Sequence, residues 1–207
     1  MAMYHAAYLS EARVLCDRYR VHLIADEIMT GFGRAGTFFA HEQANITPDF
    51  LCLSKGITGG YLPLSVVMTT DAVYAAFYDD KVTRGFLHSH SYTGNALACR
   101  AALATLDIFE KSDVINTNRA KAAHITLSSQ AIAGHPRVKH FRNAGMIWAF
   151  EVLSSEPEFA RNFYQAALAK ELLLRPIGNT VYFMPPYIVS DEEIALLTNR
   201  TLEIINA

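Results

Sequence analysis

A lysine and a run of glycines directly after a short apolar segment constrain this chain more than any other feature. Phe50-Leu51-Cys52-Leu53 has the continuous apolar character of a strand buried on both faces of a parallel sheet, and Lys55 follows after one serine. An ammonium group at the end of a core strand is costly to bury unless it is paired or neutralised. The sequence therefore predicts either a turn lysine in water or a lysine with a chemical task at a sheet edge.

An aspartate occupies the equivalent place after another apolar run. Residues 21–25 predict a second short buried strand, and Asp26 follows it directly. Because open α/β sheets bind ligands at the carboxyl ends of their strands, Asp26 and Lys55 would face one crevice if the strands are parallel. The two could form a salt bridge and nothing more. Alternatively, Lys55 could hold pyridoxal phosphate as a Schiff base while Asp26 keeps the ring nitrogen protonated, with the following glycines giving the cofactor room to approach the backbone.

The remaining pattern predicts a two-part α/β chain with a boundary near residue 112. Residues 1–112 have the character of a mostly parallel α/β domain, and residues 113–207 that of a smaller α+β domain. Thr70 is expected to cap one helix, and Ser190 with Glu193 to form a capping box on the last. Further helices are predicted at 6–19, 71–78, 95–111, 113–132 and 156–170, and strands at 64–69, 146–152, 172–175 and 181–184.

Composition excludes several classes of protein. The chain is 51% hydrophobic and 18% charged with a net charge of -2, which offers no electrostatic reason to expect nucleic acid or an anionic membrane as a partner. No apolar run approaches the roughly 18 residues that a membrane span needs. The first residues lack the pattern of an export signal, and three widely separated cysteines are typical of a reducing compartment. A cytoplasmic protein is therefore expected.

A glycine motif at residues 31–36 invites a nucleotide-binding interpretation that its context does not favour. The segment matches G-x-G-x-x-G, but a dinucleotide site needs the first glycine at the end of the strand, and residues 26–30 intervene here. No acidic residue closes a second strand about twenty positions later. The segment is expected to be a glycine-rich loop.

Two longer runs carry a resemblance to a known family. L-I-A-D-E-I-M-T-G-F-G-R-A-G and P-D-F-L-C-L-S-K-G-I-T-G-G resemble, in order and spacing, the signature of class III aminotransferases, which are pyridoxal phosphate enzymes of fold type I. The resemblance implies that Lys55 holds the cofactor and acts in catalysis, and that Asp26 pairs with the ring nitrogen. It also implies a homodimer with shared active sites.

The loop at residues 88–95 resembles the family segment that binds the cofactor phosphate of the neighbouring subunit. The resemblance implies that Ser91 supplies the hydroxyl, with His90 beside it, although some relatives carry Pro-Thr at this point. A hydroxyl and backbone N–H groups at a helix N-terminus suit an anion. The alternative is a metal pair formed by His88 and His90, for which no third ligand has convincing spacing.

The segment at residues 174–187 resembles the biotin-pathway branch of the family, which moves an amino group from S-adenosylmethionine to 8-amino-7-oxononanoate. The resemblance implies that Arg175 binds the substrate carboxylate and that Tyr182 and Ser89 lie near the substrate. Alternatively, Arg175 could be an ordinary surface residue and Tyr182 an ordinary core residue. A second candidate activity is that of another class III enzyme acting on ornithine, 4-aminobutyrate or a diamine.

The resemblance extends over all 207 residues but covers only the C-terminal part of the family. The N-terminal half of its members holds a phosphate loop and the aromatic residue that stacks on the cofactor, and no segment here resembles either. The chain is therefore expected to be the later part of a larger fold. A catalytically incomplete fragment is a third possibility, and uncovered sheet edges and apolar surface predict self-association.

Overall fold

The computed structural model describes all 207 residues and divides them into two units. Tyr4–Ile115 form the N-terminal unit, and Asn116–Ala207 together with Met1–Met3 form the C-terminal unit. No helix in either unit has the length and apolar character required to cross a membrane.

The N-terminal unit contains three α-helices and one three-stranded sheet. The α-helices and strands are α1 (Ala7–Tyr19), β1 (Ile24–Asp26), β2 (Phe50–Leu53), β3 (Val66–Thr69), α2 (Asp71–Phe77) and α3 (Ala96–Lys111), and short 3-10 helices lie at Ala40–Ala44, Lys55–Thr58 and Val82–Arg84. Each α-helix predicted in this region is present. Thr70 caps α2 as predicted, by accepting a hydrogen bond from the amide of Val73.

The sheet has the order β1-β2-β3, and only one of its two pairings is parallel. β1 runs parallel to β2, whereas β2 and β3 are antiparallel, so the prediction of a mostly parallel sheet is wrong for β3. Parallel neighbours usually need a crossover helix, and the connection from β2 to β3 contains only a 3-10 helix and turns. The chain therefore returns beside β2 in the opposite direction.

The core of the N-terminal unit is small. Leu51 and Leu53 point from β2 to the same side, as the period of a strand requires, and pack with three other buried side chains. These three are Phe32, Ile57 and Ala102. The glycine-rich loop contributes Phe32, and no α-helix follows its glycines, as a dinucleotide site would need.

The C-terminal unit is an antiparallel three-stranded sheet covered by helices. Its elements are α4 (Val114–Ser128, which begins two residues before the division), α5 (Gln130–Ala133), β4 (Val138–Ala144), β5 (Ile147–Val152), α6 (Phe159–Ala169), β6 (Thr180–Phe183) and α7 (Asp191–Asn206). The sheet has the order β4-β5-β6. The helix predicted at 113–132 is interrupted at Ser129. β4 was not predicted as a strand because four of its seven residues are polar. The capping box of Ser190 and Glu193 on α7 is confirmed.

The strand predicted at 172–175 is absent. Leu172 and Leu174 are buried while Leu173 and Arg175 are exposed, which gives the alternation that a strand would show. The segment pairs with no neighbour, so the alternation comes from an extended chain that packs on the core. That core is extensive and includes Trp148, whose indole N–H donates to Thr126 Oγ1 at 2.9 Å.

Candidate active site

The ends of β1 and β2 bring Asp26 and Lys55 to one edge of the sheet. The parallel register places Asp26 opposite Cys52, three residues before Lys55. The predicted juxtaposition at the carboxyl ends of parallel strands is therefore present. Asp26 is exposed, and its Oδ1 accepts a hydrogen bond from the amide of Ile28 at 3.1 Å. No hydrogen bond or ion pair engages its Oδ2, so one carboxylate oxygen is available to a ligand.

The side chain of Lys55 is exposed and has no hydrogen bond or ion pair with any protein group. The structure therefore contradicts the salt-bridge alternative for Asp26 and Lys55. The backbone of Lys55 has φ +45°, a left-handed conformation that costs a non-glycine residue roughly 1–2 kcal/mol.

The glycine after Lys55 has a different role from the one predicted. A Cβ placed on Gly56 would lie 3.0 Å from Cβ and Cδ2 of Phe32, so the space beside this glycine is occupied by a ring. Gly56 therefore admits Phe32 to the backbone and does not clear room for a cofactor, which corrects the prediction. Gly60, with φ +83°, has open space at its Cβ position.

Two hydroxyl groups hold the loop that follows Lys55. Ser54 Oγ donates to the carbonyl of Leu64 at 2.7 Å, and Thr58 Oγ1 donates to the carbonyl of Leu62 at 2.6 Å. These bonds close the connection from β2 to β3 on itself. Lys55 therefore lies between a paired strand and a loop that side-chain hydrogen bonds hold in place.

A cavity of about 730 Å³ lies within the N-terminal unit beside this turn. Two segments line the cavity: the segment after β2, and the segment that leads into the first turn of α3. The lining residues are Ser54, Leu62, Pro63, Leu64, Ser65, His90, Tyr92, Thr93, Gly94, Asn95, Leu97 and Ala98. The lining is mainly apolar, with side-chain hydroxyls of Ser54, Ser65 and Thr93 near the N-terminus of α3.

Of the three residues predicted in the 88–95 loop, only His90 lines this cavity. The His90 amide donates to Thr93 Oγ1, and its Nδ1 accepts from the amide of Tyr92, so the residue shapes the turn before α3. Ser89 and Ser91 are exposed and are not among the lining residues. Asn95 caps α3 by accepting from the amide of Ala98 at 3.0 Å.

The remaining two predicted residues belong to the C-terminal unit. Arg175 is exposed, on the extended segment before the bridge between Ile177 and Thr180, and has no ion-pair partner. Tyr182 is half-buried on β6, on the opposite face from the buried Val181 and Phe183. Tyr182 is therefore outside the central core, in contrast to the core alternative. Their contact with a substrate stays a prediction.

Charged residues at the start of the strands were not predicted. Arg13 on α1 bonds Asp49 Oδ2 at 2.8 Å, and the amide of Leu23 donates to the same oxygen at 2.7 Å. The Arg13 hydrogen bond, followed by the Leu23 amide, holds the pKa of Asp49 below its ordinary value. Asp49 precedes a strand in the sequence, but nothing there identifies Arg13 as its partner.

Comparison with known proteins identifies the family. The family model described as aminotransferase class-III matches residues 1–205. The chain belongs to the class III aminotransferases. The predicted family and its α/β architecture are therefore confirmed, and pyridoxal phosphate is the cofactor that this family uses.

Individual class III relatives add detail. The adenosylmethionine-8-amino-7-oxononanoate aminotransferase of Helicobacter pylori is 48% identical over 212 residues, covering 100% of this chain and 49% of the relative. The enzyme of the same name from Synechococcus elongatus is 43% identical, with 83% of this chain and 41% of the relative covered. The crystal structure of the Methanocaldococcus jannaschii enzyme of that name has a TM-score of 0.88 at 35% identity, covering 96% of this chain and 49% of that one. The chain spans about half the length of the curated relatives that it matches.

Proposed function

We propose that this chain carries the lysine-bearing part of a pyridoxal phosphate-dependent aminotransferase that moves an amino group from S-adenosylmethionine to 8-amino-7-oxononanoate. The observation that carries the proposal is the parallel pairing of β1 and β2, which sets Asp26 and Lys55 at adjacent strand ends. The printed names of the relatives from three organisms support the choice of substrates.

The residues at this edge suit the cofactor. Asp26 has a free carboxylate oxygen to hold a proton at a ring nitrogen, and Lys55 has a free amine. When bound, pyridoxal phosphate supplies an electron sink for a carbanion next to the amino nitrogen. A carboxylate at the ring nitrogen favours the protonated ring, because an opposite charge nearby stabilises the charged form.

Lys55 has two tasks in this proposal. Its Nζ would hold the cofactor, and the same amine would move the substrate proton as a general base and acid. The left-handed backbone of Lys55 and the hydrogen bonds donated by the Ser54 and Thr58 hydroxyls fix the point from which the Lys55 side chain extends. A backbone held in one position limits the space that the amine can reach, which favours a preorganised site.

The 88–95 loop is assigned to the cofactor phosphate of a partner subunit in a homodimer. Ser91 would supply the hydroxyl with His90 beside it, and Ser89 would lie near the substrate; their exposure leaves them open to a second chain. Exposed apolar side chains precede and flank this loop, among them Phe77, Val82 and Phe86. Apolar surface of this kind favours association.

Arg175 and Tyr182 complete the assignment from the C-terminal unit. We assign the unpaired guanidinium of Arg175 to the substrate carboxylate, which matches its planar, two-pronged donors. Tyr182 would contact the substrate from its half-buried position on β6. The activity belongs in the cytoplasm in this proposal.

Amino-group transfer by the purified chain tests the function. The chain is incubated with pyridoxal phosphate and 8-amino-7-oxononanoate, and S-adenosylmethionine, ornithine or 4-aminobutyrate is offered as donor. We expect product with S-adenosylmethionine, and loss of about 10²-fold or more in kcat/KM for Arg175→Gln, since a charged bond to substrate is removed. Arg161→Gln, at another exposed arginine of the same unit, is the matched control and should retain activity.

Each other outcome contradicts part of the proposal. Transfer from ornithine or 4-aminobutyrate but not from S-adenosylmethionine would favour the second class III activity. Cofactor held on Lys55 without transfer from any donor would identify a catalytically incomplete fragment. An equal loss of kcat/KM in Arg161→Gln and Arg175→Gln would contradict the assignment of Arg175 to the substrate site.

A further inference from the structure

The residue after Asp26 anchors a whole loop. Glu27 is 2% exposed, and its carboxylate accepts hydrogen bonds from the amides of Ala40 and His41. Its backbone also joins the sheet, because its amide donates to the carbonyl of Cys52 at 3.0 Å. Glu27 therefore ties the ends of β1 and β2 to the chain thirteen residues further on.

His41 completes this anchor through its side chain. Its Nδ1 lies 2.7 Å from Glu27 Oε1. A carboxylate oxygen only accepts, so Nδ1 carries the hydrogen and donates it. The His41 ring also stacks on Phe39, with ring centroids 5.7 Å apart and planes 12° apart. The ring is thus held both by a hydrogen bond and by an aromatic neighbour.

The same loop reaches the backbone beside Lys55. Phe39 packs edge-on against Phe32, with centroids 5.9 Å apart. Phe32 is 4% exposed and fills the space that the missing side chain of Gly56 leaves. A continuous set of contacts therefore runs from Glu27, next to Asp26, through His41 and the two phenylalanines to Gly56, next to Lys55.

We propose that Glu27 and His41 form a brace that positions Asp26 and Lys55 relative to each other. The brace consists of Glu27, His41, Phe39 and Phe32. Glu27 is buried and His41 is partly buried, with side-chain exposures of 3% and 14%. In this proposal they act through the two strand ends, without contact to substrate or cofactor. The cofactor part of this proposal rests on the function proposed above.

Substitutions at His41 distinguish the contribution of its N–H donor from that of its ring. His41→Asn keeps an N–H group close to the place of Nδ1, whereas His41→Leu fills similar space without a donor. Glu27→Gln keeps the shape but turns an amide N–H₂ group toward one of the N–H donors. The first readout needs no cofactor and measures hydrogen exchange at the amides of Ile28 and Gly31, which bond Asp26 Oδ1 and the Glu27 carbonyl.

We expect His41→Leu and Glu27→Gln to exchange these amides about tenfold faster or more, the change that loss of one hydrogen bond to a charged group produces. His41→Asn should restore most of the protection, and amides within α3 should not change. Unchanged exchange at Ile28 and Gly31 in His41→Leu would overturn the brace, whether or not the chain binds cofactor.

The second readout asks whether the brace acts through Asp26. Affinity is measured for pyridoxal phosphate and for its analogue with carbon in place of the ring nitrogen, in the native chain and in His41→Leu, each with and without Asp26→Asn. We expect His41→Leu to weaken pyridoxal phosphate about tenfold, to leave the analogue almost unchanged, and to have little further effect in Asp26→Asn. Equal weakening of both ligands would show a merely structural role and overturn the positioning role. If the native chain does not bind pyridoxal phosphate, the proposed function and the cofactor part of this proposal fall together, while hydrogen exchange still decides the brace.

Discussion

The two units differ sharply in how much apolar surface they bury. The C-terminal unit has a core of 19 buried residues, including Trp148, Phe150 and Phe183, which are almost completely inaccessible. The core of the N-terminal unit has 5 buried residues, and its helix α1 has none. Conversely, 23 of the 30 exposed large apolar side chains belong to Tyr4–Ile115. The unit that carries Asp26 and Lys55 is therefore the less self-sufficient one.

This difference separates stability from chemistry. The C-terminal unit has the packing of an independent hydrophobic core. The N-terminal unit presents Ile24, Val67 and Met68 on exposed strands, and surface of this kind marks sites of interaction. Regions that bind ligands and partners are drawn from the less stable end of a structure. Four substitution experiments test whether the two units differ in this way.

The largest effect is expected in the centre of the C-terminal core. Phe150→Ala removes a fully buried ring that packs on Phe141 and Phe183, and should lower the free energy of unfolding by about 3–5 kcal/mol. Urea unfolding followed by the fluorescence of Trp148, the only tryptophan, reports on this unit. Leu168→Ala, at an exposed position of α6, should change it by less than about 1 kcal/mol. Equal losses of unfolding free energy in Phe150→Ala and Leu168→Ala would contradict a densely packed core in this unit.

The next effect concerns the packing beside Lys55. Gly56→Ala forces a methyl group against Phe32 and should destabilise the N-terminal unit by about 1–3 kcal/mol, the usual cost of overpacking. Hydrogen exchange of the amides at 50–58 measures the change where it occurs. Gly134→Ala is the control, followed at the amides of its own unit, because its Cβ would lie 3.4 Å from the Gln130 carbonyl in an ordinary helical conformation. If alanine is tolerated at both positions, the close packing of Phe32 against Gly56 is contradicted.

Helix caps should show the same contrast on a smaller scale. Ser190→Ala breaks the capping box of α7, a helix with five buried residues, and should cost about 1 kcal/mol in urea unfolding. Thr70→Ala removes a longer bond of 3.4 Å on α2, which has no buried residue, and should cost less. A larger loss for Thr70→Ala would reverse the ranking of the two units.

The smallest effect is a dependence on pH at the start of β2. Because Arg13 lowers the pKa of Asp49 in the folded state, the ion pair contributes stability above the ordinary carboxyl pKa and loses it as pH falls through the folded value. The native chain should therefore lose stability more steeply than Asp49→Asn as the pH falls below about 4. Urea midpoints by circular dichroism at several pH values measure this, and parallel curves for the two proteins would contradict it.

Local rules account for what the sequence could predict. Apolar runs ending at Asp26 and before Lys55 identified the parallel pair, and Thr70 and Ser190 identified two helix starts. The direction of β3 was not predicted, because the connection after β2 has no crossover helix, and Ser54 and Thr58 close it with side-chain hydrogen bonds that no sequence pattern indicates. The use of the space at Gly56 depends on Phe32, which is distant in sequence. Long-range packing and loop closure leave no periodic pattern in a single sequence.

The brace was missed for a related reason. Glu27 is one of two consecutive acids, and the sequence does not show that its side chain turns inward while that of Asp26 is exposed. No sequence pattern indicates that Glu27 and His41 are hydrogen-bonded partners. A carboxylate that bonds backbone amides across a loop is recognisable only once the loop is folded.

Covalent capture of the cofactor tests the central claim most directly. The purified chain and its Lys55→Arg variant are incubated with pyridoxal phosphate and reduced with borohydride, and the modified residues are identified by peptide mass. The account predicts labelling at Lys55 in the native chain, and no corresponding label in the variant. Labelling spread equally over surface lysines, or absent from both proteins, would contradict the claim that the ends of β1 and β2 form a cofactor site.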